Sequence, residues 1–298
     1  MANPKVSGFT LIRNGVEFDY PFLESLRSMM PLLDELVINV GIGTDDTLAK
    51  IQQFARHEGQ GKIKIFESQW PLDDPEKRKG GLILSEQTNL ALDRCTHDWC
   101  LYLQADEVLH HEDLGTIRRT IAWADPHSQV EGLLFDYHHF YGCFDVVQVS
   151  RSAYRREVRV IRKSSGARSI GDAQSFRKPD GQKLRVVSAE ARIFHYGWVR
   201  TPEAMRSKTE FMDSLYHGSQ GAGATGDNYR YKKIIGLRYF DGDHPNAIRE
   251  RVRERNWKWD LANSPLEWRA SDLKKIVLDA IERWTGKRLF EYRSYKEL

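Results

Sequence analysis

Four short apolar runs separated by helix-like stretches fill the first 110 residues, and this alternation limits the fold more than any other feature of the chain. Val6–Ile12, Leu36–Val40, Ile63–Phe66 and Trp99–Gln104 have strand length. Between them Tyr20–Met30 predicts a helix entered at Pro21, where the missing N–H costs little. Thr47–His57 predicts a second helix and Ser85–Arg94 a third, with Leu84, Thr88, Ala91 and Leu92 along one side. Strands joined by helices of this length make βαβ units, hence an α/β fold with a mostly parallel sheet flanked by helices. Such sheets take ligands at the carboxyl ends of their strands. The alternation defines the fold class and leaves the chemistry open.

The rest of the chain is patterned differently. Gly132–Phe144 is rich in aromatics and Arg155–Ile161 alternates charged with apolar residues. Leu184–Val187 and Ala191–Tyr196 add two short strands, so this middle part is β-rich and completes or flanks the sheet. Thr201–His217 predicts a helix with Thr201 as its cap and Pro202 at its first position. The run Gly218–Gly226 has too little apolar surface to order itself. Pro245–Trp257 and Ser271–Trp284 predict further helices. The second carries Leu273, Ile276, Val277, Ala280, Ile281 and Trp284 on one stripe and stops at Gly286.

Composition narrows the function classes. With 298 residues and 40% hydrophobic content the chain can bury a sizeable core, which excludes a disordered tail or a fibre. Its 45 Lys+Arg against 42 Asp+Glu leave a charge of +3, too mild for a dedicated nucleic-acid binder. Cys95, Cys100 and Cys143 cannot all pair within one chain, and a reduced compartment is the simpler reading. The residues Met1–Lys5 carry no apolar signal core. No uncharged apolar run approaches the roughly 18–20 residues needed to cross a bilayer. A cytoplasmic protein is expected, free or peripheral on the inner face of the membrane.

The most informative segment is Leu101-Tyr-Leu-Gln104-Ala-Asp106-Glu107, a hydrophobic strand that ends in carboxylates. Acidic oxygens at the ligand edge of a sheet suit a hard divalent cation, which a diphosphate can share. An acidic turn capping the next helix is the plainer alternative. Three other segments supply context. Ser7-Gly-Phe-Thr10-Leu-Ile-Arg13-Asn14 looks like the opening strand of the glycosyltransferase family 2 enzymes, which have the Rossmann-like GT-A fold. Val37-Ile-Asn39-Val40 with Thr44-Asp45-Asp46-Thr47 is similar to that family's second strand and turn. Gln87-Thr88-Asn89-Leu-Ala91 resembles its Ala-Arg-Asn helix, and Gln104-Ala-Asp106 falls where the family has Asp-x-Asp. The chain departs from the pattern at Val40, Thr88 and Gln104, which stand in place of Asp, Arg and the first Asp.

The resemblance implies inverting, metal-assisted transfer of a sugar from a nucleoside-diphosphate donor to a hydroxyl of a glycan or lipid-linked acceptor, in surface glycan or glycoconjugate synthesis. Thr10, Arg13, Asn14, Asn39, Lys79, Asn89, Gln104 and Asp106 would line the donor site, and Mn²⁺ or Mg²⁺ would sit on Asp106. His195, in Phe194-His195-Tyr-Gly197-Trp198, resembles the late histidine that many enzymes of this fold place on the metal; a buried structural histidine is the alternative. Deprotonating the acceptor needs a carboxylate within hydrogen-bond reach. Asp172 sits about where the family has its acceptor-side carboxylate, and Asp136 and Asp145 compete with it.

The basic run Lys77–Lys79, with Gly80 and Gly81, either approaches the diphosphate or is an ordinary surface loop, and the Gly218–Gly226 run either closes over the donor or stays at the surface. The pairs His110-His111 and His138-His139 point to opposite faces if they lie on strands and cannot easily share a metal. Trp257, Trp259, Trp268 and Trp284 lie among C-terminal basic residues, where membrane contact and packing against the sheet both account for them. The expected organisation is a catalytic core over 1–200, with a nucleotide-sugar half (1–110) and an acceptor half (111–200), followed by a helical extension over 201–298. Two rival functions remain: a non-catalytic nucleotide-sugar or carbohydrate-binding module of the same fold, and a nucleotidyltransferase. The latter would carry a glycine-rich basic loop after its first strand, where Ser7–Val16 has only Gly8 and Gly15.

Overall fold

A computed structural model describes residues 3–217, 229–255 and 257–298. The expected Gly218–Gly226 loop lies outside the described residues. The first strand, β1 (Val6–Ile12), leads through α1 (Phe22–Met29) to β2 (Glu35–Gly41), then α2 (Thr47–His57), β3 (Ile63–Ser68), α3 (Leu82–Asp93) and β4 (Trp99–Tyr102). These four strands are parallel, in the order β4-β1-β2-β3. β2 is buried along its whole length, which is why it reads as an unbroken apolar run. α3 packs against β1 and β2. The side chains of Leu26, Leu36, Leu101 and Ile121 meet in one core cluster, those of Phe9, Val37 and Tyr102 in another.

Beyond β4 come β5 (Glu107–Leu109) and α4 (Leu114–Ala124), then β6 (Gly132–Tyr141), β7 (Cys143–Gln148) and β8 (Arg156–Arg162). β8 joins the sheet antiparallel to β4, and β6 and β7 follow as a hairpin. A small pair, β9 (Arg168–Ile170) and β10 (Ser175–Arg177), stands apart. The two short strands expected near residues 184–196 are one strand, β11 (Arg185–Trp198), whose register against β6 shifts between Ser188 and Arg192. Glu190 lies in that interval with a left-handed φ of 48°, a local irregularity that breaks the apolar pattern in two.

The C-terminal part carries α5 (Pro202–His217), α6 (Arg249–Arg253) and α7 (Ala270–Thr285), and much of the rest of its described chain is irregular. Thr201 Oγ1 accepts the Ala204 N–H and caps α5, and Gly286 ends α7 in a left-handed turn at φ 69°. Two short strands return to the sheet: β12 (Leu237–Tyr239) beside β7 and β13 (Lys296–Glu297) beside β11. The helix expected over Pro245–Trp257 shrinks to a 3₁₀ turn and the five residues of α6. No helix among the described residues is long and apolar enough to cross a membrane. The three cysteines are buried and unbridged.

Candidate active site

The chain adds β2 and β3 on one side of β1 and β4 on the other, so the sheet has a switch point between β1 and β4, where an α/β sheet takes its ligand. A cleft of about 440 Å³ opens at that crevice. Leu11, Ile12 and Arg13 line it from the end of β1, and Tyr102, Gln104, Ala105 and Asp106 from the end of β4. α5 spans the cleft: Lys208 reaches Asp106, and Tyr216, eight residues or about 12 Å of helix further on, reaches Asp172. The walls between are apolar, with Phe18 stacked on Phe211 at 5.2 Å and Trp70, Leu84 and Met212 beside them.

The two acids that end β4 point opposite ways. Glu107 is fully buried and turns into the core, where Arg159 grips it through Nε at 2.8 Å and through the second nitrogen at 2.7 Å. Asp106 turns into the cleft. β11 lies between β5 and β6, and its register sets His195 opposite Glu107 on one side and His139 on the other. That pairing carries the His195 ring to Asp106, with Nε2 3.6 Å from Oδ1. The other oxygen, Oδ2, accepts from Lys208 Nζ at 3.2 Å and faces Arg200 at 3.7 Å. Burial alone would raise the Asp106 carboxyl pKa, but Lys208, His195 and Arg200 outweigh it and hold this group ionised far below the usual carboxylate range. Burial and the neighbouring Arg200 push Lys208 down to about 8 against the pull of Asp106. Tyr20 roofs both cations, 4.7 Å from Arg200 and 5.1 Å from Lys208.

His139 fixes which His195 nitrogen faces the cleft. Its Nε2 lies 2.7 Å from the Tyr154 carbonyl, an acceptor only, so Nε2 carries the hydrogen. Burial and the adjacent His195 push His139 down to about 3, so the ring is neutral and its Nδ1 accepts. His195 Nδ1, 2.9 Å away, therefore donates to His139. With Nδ1 committed to His139, Nε2 is the His195 nitrogen that faces Asp106, the arrangement of a metal-ligating histidine oriented by a partner on its far nitrogen.

Asp106 Oδ1 and His195 Nε2 are the two groups of the cleft that could serve as ligands of a divalent cation. One imidazole nitrogen and one carboxylate oxygen converge, while Lys208 holds the carboxylate through its other oxygen. A mixed N/O pair suits Mn²⁺ better than Mg²⁺. Among the described residues there is no group of three or more His, Cys, Asp or Glu able to hold a metal. An ion on Asp106 and His195 would complete its shell with ligand oxygens and water. Gly197 keeps the space open: a Cβ there would lie 2.5 Å from His195 Nε2 and 3.3 Å from Asp106 Oδ2. Gly197→Ala is expected to weaken Mn²⁺–nucleotide binding by roughly tenfold or more, because displaced ligands cost about that much. Calorimetric titration reads the effect, and unchanged affinity would remove this pair from the ion site.

Of the expected site residues, Arg13, Gln104, Asp106, Asp172 and His195 line the cleft. Arg13 donates to the Ile42 carbonyl and lies over the rings of Trp70 and Phe211. Asp172 projects from a turn with left-handed Gly171 and Ala173 and accepts from Tyr216 Oη at 2.9 Å. The other five do not line the cleft, and each is engaged within the protein. Thr10 donates to the Leu103 carbonyl, and Asn14 bonds Glu17 and Thr44 around a turn. Asn39 is fully buried between Gln87 and Ser68. Asn89 clamps the backbone of Ser169 through both amide atoms, and Lys79 pairs with Glu76. Gly81 does permit a close approach, but to Asp172: its Cβ would meet the Asp172 Cβ at 2.8 Å. Asp136 is exposed on β6, and Asp145 pairs with Arg255.

Lys208, Arg200, Tyr216 and Asp213 enter the site without having been singled out in the sequence, and His139, noted there only as one of an adjacent pair that could not easily share a metal, supports His195. Asp213, on α5, is a third carboxylate lining the cleft, after Asp106 and Asp172. A lysine in the second turn of a helix gives no local sign of pointing inward. The neighbours that make His139 a support for His195 lie 15 and 56 positions away. A second cavity of about 620 Å³ shares Trp198 with the cleft and takes Tyr141, Tyr229, Arg230 and Lys275 on its other walls.

No protein-family model and no curated protein sequence matches the chain. Solved structures do match. S. aureus TarS is 17% identical over 70% of this chain, with a TM-score of 0.40. The 1–349 portion of TarS in complex with UDP-GlcNAc is 17% identical over 71% of this chain and 64% of its own, with a TM-score of 0.37. The mannosyltransferase PcManGT from Pyrobaculum calidifontis, in complex with GDP-Man and Mn²⁺, is 18% identical over 49% of this chain, with a TM-score of 0.33. The chain spans 39% of the length of the TarS chain and 36% of that of PcManGT. At these scores the likeness carries no argument, and the strand order and the cleft stand on their own observations.

Proposed function

We propose that the chain is an inverting glycosyltransferase that moves a sugar from a nucleoside-diphosphate donor to an acceptor hydroxyl. The observation that carries this reading is the buried Asp106 carboxylate beside the His195 Nε2 at the switch point of the sheet, in a cleft long enough for an extended ligand. The cleft suits such a donor along its length. Phe18, Trp70, Phe211 and Arg13 offer apolar and cationic surface to a nucleobase and ribose. Lys208, Arg200 and an ion held by Asp106 and His195 gather positive charge for the diphosphate. Asp172 and Asp213 stand on the acid side, toward the acceptor. A bound metal ion supplies charge neutralisation for the departing diphosphate.

The chain's own groups do the rest. Lys208 holds the Asp106 carboxylate through one oxygen, which would leave the other for an ion, and adds positive charge near the leaving group. The acceptor oxygen forms a bond to the anomeric carbon as the bond from that carbon to the diphosphate oxygen breaks. The acceptor proton passes to Asp172, and the nucleoside diphosphate leaves with the bonding electron pair. Helix α5 lines the cleft from Met205 to Tyr216. The acceptor would be a glycan or a lipid-linked sugar, with the cavity that shares Trp198 as its approach, and the setting would be surface glycan or glycoconjugate synthesis.

Calorimetry with a panel of UDP- and GDP-sugars, with and without Mn²⁺, tests the reading. Metal and nucleotide are expected to bind synergistically, each tightening the other by roughly tenfold or more, because the protein supplies two ligands and the phosphates the others. Slow donor hydrolysis should accompany binding. Binding with no hydrolysis or transfer under any condition would leave the binding module. Release of pyrophosphate from a nucleoside triphosphate and a sugar phosphate would point to the nucleotidyltransferase. Failure to bind any nucleotide sugar sinks the glycosyltransferase reading.

A further inference from the structure

We propose that α7 and the segment after it form a docking face for an anionic lipid bilayer. The helix is amphipathic, but it is mounted with its polar face inward. Asp279 and Glu282 receive Arg151 at 3.0 and 2.9 Å, and Glu282 also pairs with Arg155. Asp272 closes the first turn by accepting the Arg269 N–H. The apolar stripe consequently faces solvent: Leu273, Ile276, Val277 and Trp284 are exposed. Trp284 is 89% exposed, and just past the helix Phe290 is 87% and Tyr292 79% exposed. A contiguous outward stripe of this kind marks an interaction surface, whereas scattered apolar residues would not.

Charge identifies the occupant. The acids of the segment are drawn inward, and Glu291 likewise pairs with Arg288 and Arg155. Lys274, Arg283 and Lys287 are exposed and have no partner among the described residues. At about 100° per residue, Lys274 and Arg283 fall on either flank of the line through Leu273, Val277 and Trp284. Cations on both shoulders of an apolar stripe can lay their stems along lipid and reach headgroup phosphates, while tryptophan and tyrosine suit the interface. A second copy meeting this face about a two-fold axis would bring the same unpaired cations together. An anionic bilayer neutralises them instead.

Flotation of the full chain with phosphatidylglycerol-rich and with pure phosphatidylcholine vesicles, at low and high salt, tests the proposal. Binding is expected on the anionic vesicles only, to weaken with salt, and to shift tryptophan emission to the blue. The double variant Trp284→Ser/Phe290→Ser is expected to lose roughly 10- to 100-fold in vesicle affinity, the worth of two buried aromatics shared between lipid and water. Its melting temperature and nucleotide binding should match the parent, which separates loss of docking from loss of fold. The proposal is overturned if anionic vesicles do not float the protein, or if the double variant binds them as well as the parent. A dimer in sedimentation that the double variant abolishes, without any vesicle binding, would assign the face to a second copy.

Discussion

Asp172→Asn is expected to lower the turnover number by about 10²- to 10⁴-fold, the usual worth of a general base, while nucleotide affinity stays within a factor of two or so. The split follows from position. Asp172 lies at the far end of α5 from Asp106, tied to Tyr216 rather than to the cation cluster. An asparagine keeps one oxygen to accept the Gln174 N–H and turns an amide N–H toward Tyr216 Oη, which can accept it, but it cannot take a proton. The turn that presents Asp172 has left-handed residues on both sides, and the Gln174 N–H donates to Asp172 Oδ1. Asp213 is the control, because it lines the same cleft. If Asp213→Asn removes turnover and Asp172→Asn does not, the roles are exchanged. If neither matters beyond a few-fold, transfer by base catalysis in this cleft is refuted.

The second large effect is on stability. Arg159→Met should cost about 3–5 kcal/mol, the range for breaking a buried ion pair and leaving its partner charged, or a fall of roughly 6–15 °C in melting temperature. Arg159 is fully buried, forks onto both oxygens of Glu107 and packs near the rings of Tyr102 and Tyr137. It also donates to the Gln174 carbonyl, while Glu107 accepts the Gln104 N–H. One side chain thus fastens both loops that carry the proposed acids, Gln104–Asp106 and Asp172–Gln174. The loss should therefore exceed that of any exposed pair such as Arg27–Glu58, whose worth is near the usual fraction of a kcal/mol. Replacing Glu107 by Leu in the same chain should recover part of the loss, since removing both charges leaves neither stranded. A melting curve for Arg159→Met that overlays the parent's would show that the pair does not hold the loops.

The order of elements in the first 110 residues was legible because each depends on local pattern. A parallel strand buried on both faces must read as an apolar run, and β1, β2 and β4 do. Once those runs are placed, the acids after Tyr102 fall at a strand end, so Asp106 could be found from the sequence. Local pattern did not separate it from its neighbour Glu107, because the discriminating partner, Arg159, lies 52 positions away; only the resemblance of Gln104-Ala-Asp106 to Asp-x-Asp did. The amides of Asn39 and Asn89 looked available for a ligand for the same reason: their partners at Gln87 and Ser169 come only from the folded sheet.

By itself, then, the sequence determined the α/β class, the positions of the strand ends, the capped start of α5 and the amphipathic character of α7, since periodicity and turn chemistry act over a few residues. The tertiary structure decided which polar groups remain for a ligand. It brought Lys208 and His195 to Asp106, placed His139 behind His195, and committed Thr10, Asn14, Asn39 and Asn89 to internal hydrogen bonds. It also decided that the stripe of α7 faces outward. A helical period states that one face is apolar, and only packing against Arg151 and Arg155 settles which face meets the protein.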